Sequence, residues 1–128
     1  MKNLLMVVLA ALGFCSSCSA QDSIPSLSPE DFAEALKADT AAVVLDVRTP
    51  EEYAGGHLAG AVLLDVQNAE AFARGLDRLS RQKTYYVYCR SGRRSMTAAG
   101  RMRAAGFSVV NMSGGILAWR KSRLPVTE

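Results

Sequence analysis

The chain has 128 residues, enough for one domain and short for two. Its 15 Lys and Arg against 12 Asp and Glu leave a net charge of only +3. Apart from one arginine cluster the basic residues are scattered, which argues against a nucleic-acid surface or a basic membrane surface and points to a small anion. Cys15, Cys18 and Cys89 fit no zinc spacing and His57 is the single histidine, so neither a metal nor a cofactor is expected.

The chain opens with Lys2 and an apolar run from Leu4 to Phe14, about eleven residues against the roughly 20 that a membrane span needs. Residues 1–20 therefore read as an export leader. Two processing routes fit. Small residues at Cys18 and Ala20 allow cleavage before Gln21, and Ser16-Ser17-Cys18 loosely resembles a bacterial lipoprotein signal with Cys18 lipidated. Cys15 follows the bulky Phe14 and is the poorer lipidation site. The expected location is periplasmic, or at the membrane through the lipid anchor alone. Removing the leader leaves Cys89 either alone or with only a lipidated partner, so it cannot be half of an internal disulfide. An unpaired cysteine in an exported protein reads as reactive.

Residues 21–26 form a polar connector to a domain spanning 27–126, with a short first strand around Ile24 to Leu27. Ser28-Pro29-Glu30-Asp31 starts a helix with a capping hydroxyl, proline at the first position and acids in the first turn; Phe32 and Leu36 face inward. Ala42 to Val47 is a continuous apolar strand suited to a sheet covered on both faces. Thr49-Pro50-Glu51-Glu52 opens a short helix ending at Gly55-Gly56, and Ala61 to Leu64 forms a third strand. Asn68 opens a helical stretch to about Leu79, with Gly75 weakening its continuity. Thr84 to Tyr88 is a strand, and a helix follows from Ser95 to Gly106 with Ala98, Ala99, Met102 and Ala105 inward. Phe107 to Asn111 is the last strand, and Gly114-Gly115 leads into a closing helix with Ile116 and Trp119 that ends before Pro125. Strands alternating with helices give an α/β fold, a mainly parallel five-stranded sheet flanked by helices.

The chemistry concentrates in Cys89-Arg90-Ser91-Gly92-Arg93-Arg94-Ser95, which follows a strand, where such sheets bind ligands. A thiol there faces a helix N-terminus, and the helix dipole, loop N–H groups and cationic neighbours all favour the nucleophilic thiolate. A buried, inert cysteine is the bland alternative; Arg90, Arg93 and Arg94 argue against it, because unpaired charges do not line an apolar pocket.

Three segments resemble the rhodanese (thiosulfate sulfurtransferase-like) domain family. Leu45-Asp46-Val47-Arg48 followed by Glu52-Tyr53-Ala54-Gly55-Gly56-His57-Leu58-Ala59-Gly60-Ala61 is similar to its first signature, with Leu58 where isoleucine is more usual. Cys89 to Ser95 is similar to the active loop of the sulfurtransferase branch, and Ala98-Ala99, Gly106-Phe107, Gly114-Gly115-Ile116 and Trp119 to its closing signature. The whole resembles a single-domain exported bacterial rhodanese. The resemblance implies that a donor such as thiosulfate gives its outer sulfur to Cys89, and that a thiophilic acceptor such as cyanide, a thiol or a protein removes it. Loop N–H groups from Arg90 to Ser95 would surround the persulfide, and Gly92 would allow the turn. Arg90 and Arg93 would bind the sulfite leaving group, and Arg94 corresponds to a partly structural loop-closing arginine.

Asp46, Arg48, Glu52 and His57 read as structural support. An ion pair fixing the strand end suits Asp46 and Arg48 better than direct chemistry, and His57 has little to do as a base if the thiol is already ionised. Trp119, Met96 and Met102 read as packing, and the tyrosines of the Thr84 to Tyr88 strand as β-propensity. Two rivals stand beside the enzyme reading. One is a non-enzymatic sulfur carrier or partner-binding module. The other is phosphatase or arsenate-reductase chemistry, which needs five residues between cysteine and arginine, whereas here that arginine position is Ser95. A monomer is expected.

Overall fold

The structure, a computed structural model, describes residues 23–128; the leader, with Cys15, Cys18 and both processing routes, lies outside them. The elements in order are β1 (Ser26–Leu27), α1 (Pro29–Ala38), β2 (Val43–Asp46), α2 (Pro50–Ala54), β3 (Val62–Leu63), α3 (Ala69–Leu76), β4 (Thr84–Tyr88), α4 (Arg93–Ala104), β5 (Ser108–Met112) and α5 (Gly115–Lys121). The five strands form one sheet in the order β1-β5-β4-β2-β3, every pair parallel. β4 is central, so the cysteine loop leaves the middle of the sheet.

Alternation along the strands explains the two cores. Leu45, Tyr85, Val87 and Val109 face α3 and α4, meeting Phe72, Leu76, Ala98, Ala99 and Met102. Val44, Tyr86, Tyr88 and Met112 face the other way onto Phe32 of α1 and Ile116 and Trp119 of α5. Trp119 and Tyr86 each meet the Phe32 ring edge-on. The alanines of α4 let its axis lie close to the sheet.

Helix starts follow their capping residues. Ser28 accepts from the Asp31 N–H, Asn68 from the Ala71 N–H, and Thr49 and Glu52 form a reciprocal capping box at α2. Three expectations need correcting. The first strand is shorter than Ile24 to Leu27, because only Ser26 and Leu27 find partners on β5. α3 runs through Gly75 but stops at Leu76, short of Leu79; a methyl at Gly75 would run into Leu64 Cδ1, so the glycine makes room for the neighbouring chain. α4 opens at Arg93, not Ser95. Met96, read as packing, is 42% exposed, with its sulfur 3.8 Å from the Ser26 hydroxyl.

Two polar ties brace the strand ends beneath the cysteine loop. The first is buried. Asp46 and Tyr88 are register partners at the ends of β2 and β4, and the Tyr88 hydroxyl donates to Asp46 Oδ2 at 2.5 Å. The same carboxylate accepts from Arg48 N–H at 3.0 Å, Nε at 2.9 Å and Nη2 at 2.7 Å. Arg48 Nη2 also donates to the Gly56 carbonyl, and the Leu58 N–H donates to the Tyr88 oxygen. Burial, and then the carboxylate it bonds, push the Tyr88 phenol far above its ordinary range, so it remains a proton donor. The second tie is half-buried: Arg94 at the start of α4 grips both oxygens of Glu52 on α2, at 2.8 and 2.9 Å.

Arg48→Ala strands the Asp46 carboxylate without its cation, and its expected cost is about 3–5 kcal/mol. Tyr88→Phe removes the hydrogen bond to that charged acceptor and the one taken from the Leu58 N–H but leaves the ion pair in place, about 1.5–3 kcal/mol. Urea unfolding of both variants checks the order; equal losses would show that the ion pair is not the stronger brace. The second tie has a pH signature. The bonded Arg94 guanidinium holds the Glu52 carboxyl down at about 2 against an ordinary 4.5. Its contribution to stability is therefore complete above pH 4.5 and drains away as the pH falls toward 2. Glu52→Gln should cost about 1–2 kcal/mol at neutral pH, given partial solvent screening. Its stability should converge on that of the native protein in acid, and a constant gap across the acid range would show that the carboxylate charge is not what matters.

Candidate active site

Cys89 is the residue after β4, and its side chain is turned to the α4 side of the sheet, 1% exposed. Burial alone would make it the inert core thiol of the bland alternative. What distinguishes it is the backbone around it. The carbonyls of Cys89 and Arg90 are taken by the N–H groups of Ile116 and Leu117 at the start of α5, at 2.9 and 3.1 Å. Since a trans peptide sets its N–H opposite its C=O, the amides of Arg90 and Ser91 are turned away from α5. Gly115 permits this close docking. It has a φ of +62°, and a methyl there would collide with the Arg90 carbonyl.

The chain then turns at Gly92, whose φ of +101° favours glycine, and α4 begins. No side chain caps this helix, and no acid lies in its first turn. A helix start leaves its first amides without partners, and here the sulfur occupies the place of a cap. The Gly92 N–H donates to Cys89 Sγ at 3.1 Å. α4 starts two residues before Ser95 because the chain turns into it at the left-handed Gly92, which leaves Arg93 and Arg94 in its first turn.

Burial disfavours the Cys89 thiolate, but the Ser95 hydroxyl and the amides of Ser95, Gly92 and Ser91 outweigh it, and the thiol lies below its ordinary range. This revises the expected cause. The lowering comes chiefly from uncharged donors. Arg94 feels the sulfur's charge, but its guanidinium is already held by Glu52. Arg90 and Arg93 are exposed at the rim and have no carboxylate partner among the described residues.

The remaining expected residues lie further out. Asp46 and Arg48 are in the buried brace with Tyr88, and Glu52 is in the clamp on Arg94. His57 places Nδ1 2.8 Å from the Tyr53 carbonyl, which only accepts, so Nδ1 carries hydrogen. Its ring stacks on Tyr53, and its backbone pairs with Thr127. Both contacts anchor a turn. Two contributors escaped the sequence reading. Tyr88 passed as a strand former, since nothing local marks a hydroxyl that bonds a residue 42 positions away. The Ser95 side chain was hidden behind its backbone amide. Its Oγ is fully buried and makes no hydrogen bond of normal geometry, although it favours the sulfur anion. The Asn111 side chain, on the same side of the sheet, spends its Nδ2 on Ser26 and leaves Oδ1 unpartnered.

Residues 28–122 match the rhodanese-like domain family. Among named relatives, the chain is 39% identical over 97 residues to a thiosulfate sulfurtransferase of Pseudomonas entomophila, covering 75% of this chain and 84% of that one. It is 37% identical over 98 residues to a putative sulfur carrier protein of Bacillus subtilis, covering 76% of this chain; it spans only 51%, about half, of that relative's length. A crystal structure of a rhodanese-related protein from Thermoplasma volcanium superposes with a TM-score of 0.70 at 31% identity, covering 80% of this chain and 97% of that one. The parallel sheet, the loop after its central strand and these similarities agree, and the chain belongs to the rhodanese-like domain family.

Proposed function

We propose that the protein is a sulfurtransferase that carries a sulfane sulfur as a persulfide on Cys89. The observation that supports this most is the Gly92 amide donating to Sγ at 3.1 Å, in a helix start with no other cap. A thiolate held by neutral amides stays nucleophilic without a neighbouring base. In the first half-reaction it attacks the outer sulfur of thiosulfate. The S–S bond of the donor breaks, its electron pair leaves with sulfite, and a Cys89 persulfide anion remains. In the second, cyanide or a thiol attacks the terminal sulfur, takes it as thiocyanate or a new persulfide, and returns the thiolate.

The rim arginines suit the donor. Arg90 and Arg93 are free to meet an anionic sulfonate, whereas Arg94 is committed to the loop. The carrier reading keeps the same persulfide and differs only in the acceptor, a protein thiol; the Bacillus relative named as a putative sulfur carrier favours keeping it as the second reading. The phosphatase reading fits poorly, because the position after Arg94 holds a buried serine where that chemistry needs a cation. Export belongs to the same proposal, through cleavage before Gln21 or lipidation of Cys18.

Reduced protein incubated with thiosulfate is expected to gain the mass of one sulfur atom, and cyanide to remove it with release of thiocyanate. No adduct, or an adduct that survives Cys89→Ser, would overturn the proposal. Arg93→Ala is expected to lower turnover with thiosulfate about tenfold while turnover with an uncharged sulfur donor falls much less, as for loss of one charge-assisted contact. Equal losses in steady-state assays would assign Arg93 to holding the loop.

A further inference from the structure

Ser95 carries more than a backbone amide. It sits in the first turn of α4, facing the sheet, with 0% of its surface exposed. A serine within a helix ordinarily turns its hydroxyl back to a carbonyl of the preceding turn. Here the Gly92 carbonyl bonds the Met96 N–H, and Ser95 Oγ bonds nothing. A buried hydroxyl without a partner is rare in native structures and calls for a reason. Cys89 lies on the same side of the sheet, its sulfur already taking the Gly92 amide at the start of this helix, and Ser95 favours its anion through its N–H as well. A neutral thiol is a weak acceptor, and a sulfur anion is a strong one. The hydroxyl is thus unsatisfied in one charge state of the site and satisfied in the other.

We propose that the Ser95 hydroxyl is a positioning group that donates to the anionic sulfur at Cys89, both as the resting thiolate and as the persulfide. This rests on the persulfide reading only for its second half; the thiolate half stands without it. Glu52 and Arg94 supply the rigidity: by fixing the first turn of α4 against α2 they set where the hydroxyl points.

The test compares Ser95→Ala and Ser95→Thr with the native protein. The first readout is the pH dependence of Cys89 alkylation by iodoacetamide, an uncharged probe that needs no sulfur-transfer activity. Ser95→Ala is expected to move the profile up by about one pH unit, the loss due to one hydrogen bond to a charged acceptor, and Ser95→Thr to restore most of it. The second readout is the lifetime of the thiosulfate-derived persulfide, followed by mass, which should shorten severalfold in Ser95→Ala. Thermal unfolding supplies the control: at a pH where Cys89 is a neutral thiol, losing the hydroxyl that is then unpartnered should leave the fold as stable or more so. An unmoved alkylation profile in Ser95→Ala overturns the proposal, as does a shift that Ser95→Thr fails to reverse while remaining folded. If the native protein forms no persulfide, the sulfurtransferase proposal fails while the alkylation profile still decides the role of the hydroxyl.

Discussion

The structure turns on a helix start that has no cap of its own. α4 begins after a left-handed glycine, without Ser, Thr, Asp or Asn to receive its amides, and the acceptor nearest to them is the sulfur at the end of the central strand. Unsatisfied buried amides cost about 1–3 kcal/mol each, so an anion at that point stabilises the fold and the helix start stabilises the anion. The thiol is consequently acidic although it is almost wholly buried, where burial by itself would have suppressed its ionisation. Neutral dipoles achieve this while every nearby arginine stays at the rim or in a pair.

Such a ring works only if its backbone cannot relax. α5 holds the outer side by taking the carbonyls of Cys89 and Arg90, and the absent side chain at Gly115 lets the two backbones meet. α2 holds the helix side through Glu52 and Arg94. The Asp46, Arg48 and Tyr88 brace fixes the ends of β2 and β4, from which the loop departs, and it reaches the Gly56–Leu58 turn as well. These ties connect parts of the chain far apart in sequence. The first signature segment therefore contributes no atom to the sulfur; it maintains the geometry of the second.

The sequence disclosed what is local. Ser28, Thr49 and Asn68 marked their helices because each caps within a few residues, and the strand from Thr84 to Tyr88 was visible to the residue because its apolar run is bounded by a lysine and the cysteine loop. Asp46 and Arg48 were legible as a pair by being two positions apart. Tyr88 was not, because its partner comes from another strand through the parallel register. The start of α4 was misplaced for a related reason: Ser95 looks like a cap when only neighbours are considered, but the actual acceptor precedes the glycine turn. Met96 and Met102 both read as packing, but only Met102 shares the buried face of Ala98 and Ala99, while Met96 lies 42% exposed.

The same loop bears on which atoms it admits. A tetrahedral oxyanion spreads its charge over several oxygens and calls for a cation on the helix side as well as amides around it. Here the helix side offers Ser95, fully enclosed, and the one guanidinium within the first turn that reaches inward across the fold is taken by Glu52. Freeing that arginine for an oxyanion would break the clamp that sets the ring, so the loop cannot be both well formed and charged toward a bulky anion. A single sulfur needs neither the space nor the extra charge. Its anion is favoured by amides and the Ser95 side chain, and on the proposed reaction a sulfonate leaving group would meet the rim, where Arg90 and Arg93 have no carboxylate partner among the described residues.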